Sequence, residues 1–129
     1  MLEVTAAADA LVAAFGAHDR AAYFAAFAPS ATFVFHNCER VLASRDEYEA
    51  QWDEWVEGGF RVLGCRSSNQ VVTMLSPGVA VFTHSVRTHL AGGEDVVTTA
   101  ERETIVFQRF DGHWLGVHEH LSVDPTPTT

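Results

Sequence analysis

Residues 101–122 decide the fold, and they read ERETIVFQRFDGHWLGVHEHLS. Apolar and polar residues alternate on both sides of the Asp111-Gly112 pair, which predicts two β-strands joined by a glycine turn. Side chains two residues apart on a strand lie on the same face of the sheet. The stretch therefore aligns an arginine, a threonine and two histidines, and their role depends on the face that they occupy.

The register of this hairpin decides whether the polar residues form a group. A three-residue loop, with Gly112 in the left-handed conformation, would pair Thr104 with His118. In the same register Arg102 would face His120. All four side chains would then share one face, which we predict to be the face toward a pocket.

A two-residue Asp111-Gly112 turn is the alternative. It would place Ile105 opposite His118 and separate the polar group, because a slip of one residue turns each side chain to the other face. We favour the three-residue loop because it brings the polar residues together.

The composition excludes several classes of partner. The chain has 129 residues, enough for one domain with a hydrophobic core, and a formal net charge of −9 from 8 basic and 17 acidic residues. This charge disfavours nucleic acid and anionic membranes as partners. No apolar run approaches the roughly 20 residues that span a bilayer. The first residues do not resemble a signal peptide, and Cys38 and Cys65 are isolated, so we expect a cytoplasmic protein with reduced thiols.

Three helices are predicted in the N-terminal half of the chain. The first is the alanine-rich segment 4–17, and the second begins at Asp19 and stops before Pro29. The third starts with the capping box of Ser44 and Glu47 and carries an aromatic stripe at helical spacing: Tyr48, Trp52 and Trp55.

Strands dominate the rest of the chain. The pattern predicts short strands at 31–36 and 41–42 and four long strands, at 60–76, 79–90, 96–110 and 114–122, with a bend at 67–69. This order predicts an α+β fold, in which a curved antiparallel sheet carries the three helices on one face. We expect residues 1–123 to form a single domain and residues 124–129 to be a disordered tail.

Four segments of this chain resemble the nuclear transport factor 2-like superfamily: residues 24–33, 102–104, 111–114 and 118–122. The resemblance is greatest to its SnoaL-like and calcium/calmodulin-dependent kinase association-domain-like groups. It implies a cone-shaped cystatin-like fold with a pocket between sheet and helices, and a homodimer joined through the outer face of the sheet. Members include isomerases, dehydratases and polyketide cyclases, as well as binding modules and assembly domains.

The residues of the chain suggest candidates for a site. Enzymes of the superfamily often place an acidic base on the first strand, but here that strand contains neither Asp nor Glu, which leaves His36 as the candidate base. His118 and His120 could act as general acid and base, because imidazole titrates near neutrality. The predicted ligand-binding residues are Arg102, Thr104, Tyr23, Trp52 and Trp114.

Each candidate also has a purely structural interpretation. Arg102 could form an internal ion pair with Glu39, Glu47 or Glu119. The histidines could hydrogen-bond across the strands, and the aromatic residues could only pack in the core.

Metal binding is a weaker alternative. The spacing His118-Glu119-His120 could offer two imidazoles to a metal, with His36 or His84 as a third ligand, but nothing in the sequence demands it. We expect neither metal nor cofactor.

Two hypotheses follow for function. The first is a small-molecule-binding protein that is a cofactor-independent isomerase, dehydratase or cyclase acting on a small organic acid or a polyketide-like molecule. The second is a non-catalytic ligand-binding or oligomerisation module with a vestigial pocket.

Overall fold

A computed structural model describes residues 1–92 and 94–125. Its elements in chain order are α1 (Leu2–Gly16), α2 (Arg20–Ala25), β1 (Phe27–Phe35), α3 (Arg45–Glu57), β2 (Phe60–Ser76), β3 (Val79–Gly92), β4 (Asp95–Phe110) and β5 (His113–Val123). The three predicted helices and the four long strands are confirmed. Most of the predicted disordered tail, residues 126–129, lies outside the described residues.

The helix starts follow from local side-chain caps. The Asp19 carboxylate accepts a hydrogen bond from the Ala22 N–H group at 3.2 Å, as predicted for the start of α2. At α3, Ser44 Oγ accepts from the Glu47 N–H group at 3.2 Å. The return bond differs from the predicted capping box, because the Glu47 carboxylate accepts from the N–H group of Ala43 at 3.3 Å.

One sheet of five strands has the order β1-β5-β4-β3-β2. Strands β2 to β5 form the predicted antiparallel meander, but β1 pairs with β5 in parallel, so the sheet is mixed. The chain leaves β1, crosses through α3 and enters β2 at the opposite edge of the sheet. The predicted strand at 41–42 is only a single bridge between Leu42 and Phe33.

The sheet bends at the predicted place. The register of β2 against β3 shifts between Ser68 and Val71, and Asn69 takes the left-handed conformation with φ of 54°. The sheet carries all three helices on one face, which we call the inner face; the opposite face is the outer face. The core between helices and sheet is mainly aromatic, and its largest buried side chains include Trp52, Tyr23, Phe27, Phe33, Phe82 and Phe107.

The predicted hairpin register is wrong. Phe110 pairs with His113 across a two-residue turn, in which Asp111 and Gly112 have φ values of 49° and 82°. Two left-handed residues form the turn that suits an Asp-Gly pair and the twist of the strands.

A β-bulge at Val117 then changes the register further along the hairpin. The register shifts at this point, so that Thr104 pairs with His120 and Arg102 pairs with Ser122. The alternative register, in which Ile105 faces His118, is therefore also wrong beyond the bulge.

Gly116 is the position where β5 passes closest to the core. A Cβ atom there would lie 2.7 Å from Cδ1 of the buried Phe27 ring and 3.4 Å from Cγ2 of Ile105. We expect Gly116→Ala to lower the free energy of unfolding by about 1–3 kcal/mol, since a close-packed core absorbs an extra methyl group only by straining its neighbours. Urea denaturation would measure this.

Gly78→Ala is the matched control, because a Cβ atom at Gly78 would meet nothing within 4 Å. Equal losses in the two variants would contradict the predicted close contact with Phe27.

Candidate functional site: an acidic internal cavity

A cavity of about 630 Å³ lies between the helices and the inner face of the sheet. Most of its wall is apolar, and the side chains include Leu11, Phe15, Trp55, Phe60, Val86 and Leu90. A cavity of this size and character suits a small organic molecule with a largely apolar body.

Two glutamates from neighbouring strands meet in the wall of this cavity. Glu103 of β4 and Glu119 of β5 share a hydrogen bond between their carboxyl groups. His84 of β3 holds Glu103 from the other side, with Nε2 at 2.7 Å from Oε1, and its Nδ1 lies 2.6 Å from the Ser67 hydroxyl group. Because two carboxyl groups at hydrogen-bond distance cannot both be ionised at low cost, this pair retains one proton.

The surroundings assign that proton to Glu119. Burial, followed by the negative charge of Glu103, raises the pKa of Glu119 well above its ordinary value. Burial also acts to raise the pKa of Glu103, but hydrogen bonds with Glu119 and His84 outweigh it and hold that pKa below its ordinary value. At neutral pH, Glu119 is therefore a buried neutral acid that donates to the Glu103 carboxylate.

Two tyrosines extend this network into the cavity. The hydroxyl groups of Tyr23 and Tyr48 lie 2.8 Å apart, and the Tyr23 hydroxyl group donates a long 3.5 Å hydrogen bond to Glu119 Oε1. Burial raises the pKa of both hydroxyl groups well above the ordinary value. Both tyrosines therefore stay protonated and act as neutral hydrogen-bond donors or acceptors.

A second polar group in the cavity wall combines His36, Glu101 and Thr99. His36 Nε2 lies 2.5 Å from Glu101 Oε2, and the Thr99 hydroxyl group donates to Glu101 Oε1 at 3.1 Å. A carboxylate bound to one ring nitrogen fixes the orientation of the imidazole and leaves Nδ1 as its other functional atom.

The charge of the lining is one-sided. Four glutamates line the cavity, namely Glu54, Glu101, Glu103 and Glu119, and none of the lining residues in the described part of the chain is an arginine. The protein contains no lysine. The cavity therefore disfavours anionic ligands.

The predicted polar group is assembled on the opposite side of the sheet. Arg102, Thr104, His118 and His120 do share one face, but it is the outer face, and none of these four residues lines the cavity. Their strand neighbours Glu103 and Glu119 point inward instead. The prediction that these four side chains face a pocket between sheet and helices is therefore wrong. Ile105 and Phe107 are buried in the core, so the face of β4 that carries them is the inner face, and Arg102 and Thr104 lie on the other.

The remaining predicted residues divide in the same way. Tyr23 and His36 line the cavity. Trp52 is 1% exposed and packs behind the wall, with its ring centroid 5.2 Å from that of Phe60. Trp114 lies outside the cavity lining, and its Nε1–H group donates to Glu3 at 3.2 Å.

Within residues 1–92 and 94–125, the internal ion pair considered for Arg102 is not found, whereas His118 does hydrogen-bond across neighbouring strands. Arg102 forms no ion pair there, because Glu119 points inward and Glu47 contacts Arg40. No group of three potential metal ligands is present in this part of the chain, since His118 and His120 point outward while Glu119, His84 and His36 line the cavity. His118 Nδ1 lies 2.7 Å from the Thr32 hydroxyl group, across the β1–β5 pair.

Sequence reasoning did not select Glu101, Glu103 or Tyr48 as site residues. One signal was present: Glu101 and Glu103 share a strand face with Ile105 and Phe107, two large apolar residues of β4. A carboxyl group in line with core residues is buried, and burial shifts its pKa.

The fold agrees with the comparisons to known proteins. A SnoaL-like domain model matches residues 4–126, and the chain belongs to this family, within the nuclear transport factor 2-like superfamily. Among curated proteins, none matches the sequence.

Solved structures share the fold at low identity. A ketosteroid isomerase-like protein from Erwinia carotovora atroseptica has a TM-score of 0.81 at 18% identity, covering 98% of this chain and 96% of that one. A candidate scytalone dehydratase from Novosphingobium aromaticivorans has a TM-score of 0.82 at 15% identity, covering 96% and 83%. A candidate calcium/calmodulin-dependent protein kinase II association domain from Xanthomonas campestris has a TM-score of 0.79 at 21% identity, covering 97% and 88%. These likenesses show the α+β cystatin-like fold.

None of the described helices is both long and apolar enough to cross a membrane.

Proposed function

We propose that the protein is a cofactor-independent lyase or isomerase that acts on a small neutral molecule with an apolar body and a carbonyl or hydroxyl oxygen. The observation that carries this proposal is the buried acid Glu119, next to two tyrosine hydroxyl groups in a largely apolar cavity. Because Glu119 is neutral and already donates to Glu103, it adds no negative charge beside the tyrosines, and a tyrosine hydroxyl group can therefore stabilise negative charge on a substrate oxygen.

The two polar groups of the cavity have different roles in this proposal. Tyr23 and Tyr48 are the oxygen-binding end: Tyr23 gives its single hydroxyl proton to Glu119, so the Tyr48 proton, which points to Tyr23 in the free protein, can turn to the substrate oxygen. His36, oriented by Glu101, is the general base that removes a proton from the substrate. Together they would support enolisation, the step common to many isomerisations and dehydrations.

The lining also favours one of the two substrate types that the sequence suggested. A carboxylate would find no arginine or lysine in the described lining and would lie near Glu54, Glu101 and Glu103, in addition to the neutral Glu119. A neutral, polyketide-like molecule avoids this repulsion. We therefore propose a neutral substrate over an organic acid.

Proton exchange tests the proposal without knowledge of the natural substrate. In D₂O, the wild type is expected to accelerate deuterium incorporation at the α-carbon of 2-tetralone, followed by NMR. His36→Gln is expected to lower the enzymatic rate by about a hundredfold, the usual contribution of a general base. Arg109→Gln, a change at an exposed residue of β4 outside the cavity, is the control and keeps the rate.

Ligand binding gives an independent measurement. 2-Tetralone is expected to raise the melting temperature, whereas 2-naphthoate, a carboxylate of similar size, is expected to leave it unchanged. Equal stabilisation by both compounds would contradict the neutral-substrate proposal, and an exchange rate unaffected by His36→Gln would remove His36 as the base.

The non-catalytic alternative has a distinct outcome in the same experiments. A binding module would be stabilised by 2-tetralone but would not accelerate the exchange of the α-protons of 2-tetralone.

A homodimer joined through the outer face of the sheet and a cytoplasmic location stay predictions.

A further inference from the structure

The outer face of the sheet carries a depression of about 340 Å³, on the opposite side from the cavity. Seven of the residues that line it are basic or neutral and polar and lie on the outer face: Asn69, Thr83, Ser85, Arg102, Thr104, His120 and Ser122. His84 and Glu103 also line it, but their side chains bond to each other and line the inner cavity. They come from β2, β3, β4 and β5, so the rigid centre of the sheet holds them in place.

Arg102 and His120 are the two basic groups of this depression. The register places Arg102 between Ser85 and Ser122, and His120 beside Thr104 on the neighbouring strand. Both residues are exposed, and the described part of the chain offers Arg102 no ion pair. Within one copy of the chain, the guanidinium group is therefore available to a ligand.

The charge around Arg102 runs against the charge of the whole protein. The chain has 17 acidic and 8 basic residues, yet the neighbours of Arg102 on the outer face are hydroxyl groups and an imidazole. Glu103 also lines the depression, but its carboxylate is held on the cavity side by His84, and Glu119 lines the cavity as well. Further along the chain, Asp124 follows β5, and its N–H group donates to the Ala100 carbonyl group.

The hydroxyl groups are placed to add neutral donors. Asn69, held in the left-handed conformation at the bend of β2, donates from Nδ2 to Ser85 Oγ at 3.2 Å. Since Ser85 Oγ accepts this bond, its own proton is free to point into the depression toward an acceptor.

We propose that this depression binds a small oxyanion such as phosphate. Arg102 supplies the forked guanidinium donor that matches two oxygens of a tetrahedral or planar anion. His120 supplies a second N–H donor, and the hydroxyl groups of Ser85, Thr104 and Ser122 complete a set of donors. This site is separate from the acidic cavity and does not depend on the function proposed for it.

NMR titration with inorganic phosphate tests the site. The imidazole signals of His120 are expected to move in a saturable way as phosphate replaces chloride at constant ionic strength and pH. Arg102→Gln is expected to raise the dissociation constant at least about tenfold, because it removes a charge-assisted pair of hydrogen bonds. Arg109→Gln is the matched control, since it removes the same charge from the same strand outside the depression.

Three results would overturn the proposal. The first is a dissociation constant for phosphate that Arg102→Gln leaves unchanged. The second is an equal shift of the His120 signals with chloride alone. The third is a change of oligomeric mass in Arg102→Gln, measured by light scattering, with no phosphate response in the wild type. That outcome would assign Arg102 to a contact with a second copy of the chain instead.

Discussion

As the pH rises above about 4.5, the wild type is expected to lose stability relative to a Glu119→Gln variant. The folded protein holds the Glu119 proton with a raised pKa, whereas the unfolded chain releases it near the ordinary value of 4.5. A group with a raised folded pKa stabilises the protein fully below its unfolded pKa, and this contribution is lost as the pH rises toward the folded pKa.

The size of the effect follows from proton linkage. One proton bound only by the folded state changes the free energy of unfolding by at most about 1.4 kcal/mol per pH unit. Glutamine does not titrate, and its amide can still donate to Glu103 and accept from Tyr23. The pKa of Glu103 is lowered in the folded protein, so its contribution to the free energy of unfolding is lost only as the pH falls below the range in which Glu119 acts.

Urea denaturation at several pH values would measure the difference between wild type and variant. Glu57→Gln, at an exposed residue of α3 outside the network, is the control and should follow the wild type. If the difference between wild type and Glu119→Gln stays constant with pH, Glu119 does not hold the proton.

Trp52→Ala is expected to lower the free energy of unfolding by about 3–5 kcal/mol, the range for large aromatic residues removed from a core. Trp52 is 1% exposed, and its ring lies within 6 Å of the rings of Phe60, Tyr23 and Phe24. This loss is a large part of the roughly 5–15 kcal/mol that stabilises a typical domain.

Trp52→Phe is the matched variant, because it keeps an aromatic ring at this position and should cost much less than alanine. Chemical denaturation would measure both, and 2-tetralone binding by the phenylalanine variant would show whether the wall behind Tyr23 still supports the cavity. A loss below about 1 kcal/mol for Trp52→Ala would contradict its place at the centre of the core.

Much of the fold could be predicted because local signals agree with one another. Asp19 and Ser44 mark helix starts, and the alternation in β2 to β5 marks four long strands. Apolar residues of the helices fall on one side, which requires a sheet to cover them. The parallel pairing of β1 with β5 was missed, because it joins distant parts of the chain and leaves no local signal.

The site could be predicted only in part, for a physical reason specific to β4 and β5. Both faces of these strands carry polar residues: glutamates on one face, and Arg102 with the histidines on the other. Alternation alone does not tell which set is buried. The bulge at Val117 adds one residue to β5, and a prediction that assumes regular strand pairing does not include it. The predicted cross-strand partners were therefore wrong, although the four predicted residues do share a face.

The position of β5 between β1 and β4 has a consequence for biosynthesis. The last strand of the domain to leave the ribosome is an interior strand, and it brings Glu119 with it. Until β5 emerges, β1 has no neighbour in the sheet, and both it and β4 present unpaired edges. A nascent chain that ends before residue 113 therefore has neither a complete cavity wall nor Glu119, so the cavity is completed only when β5 pairs and the sheet closes.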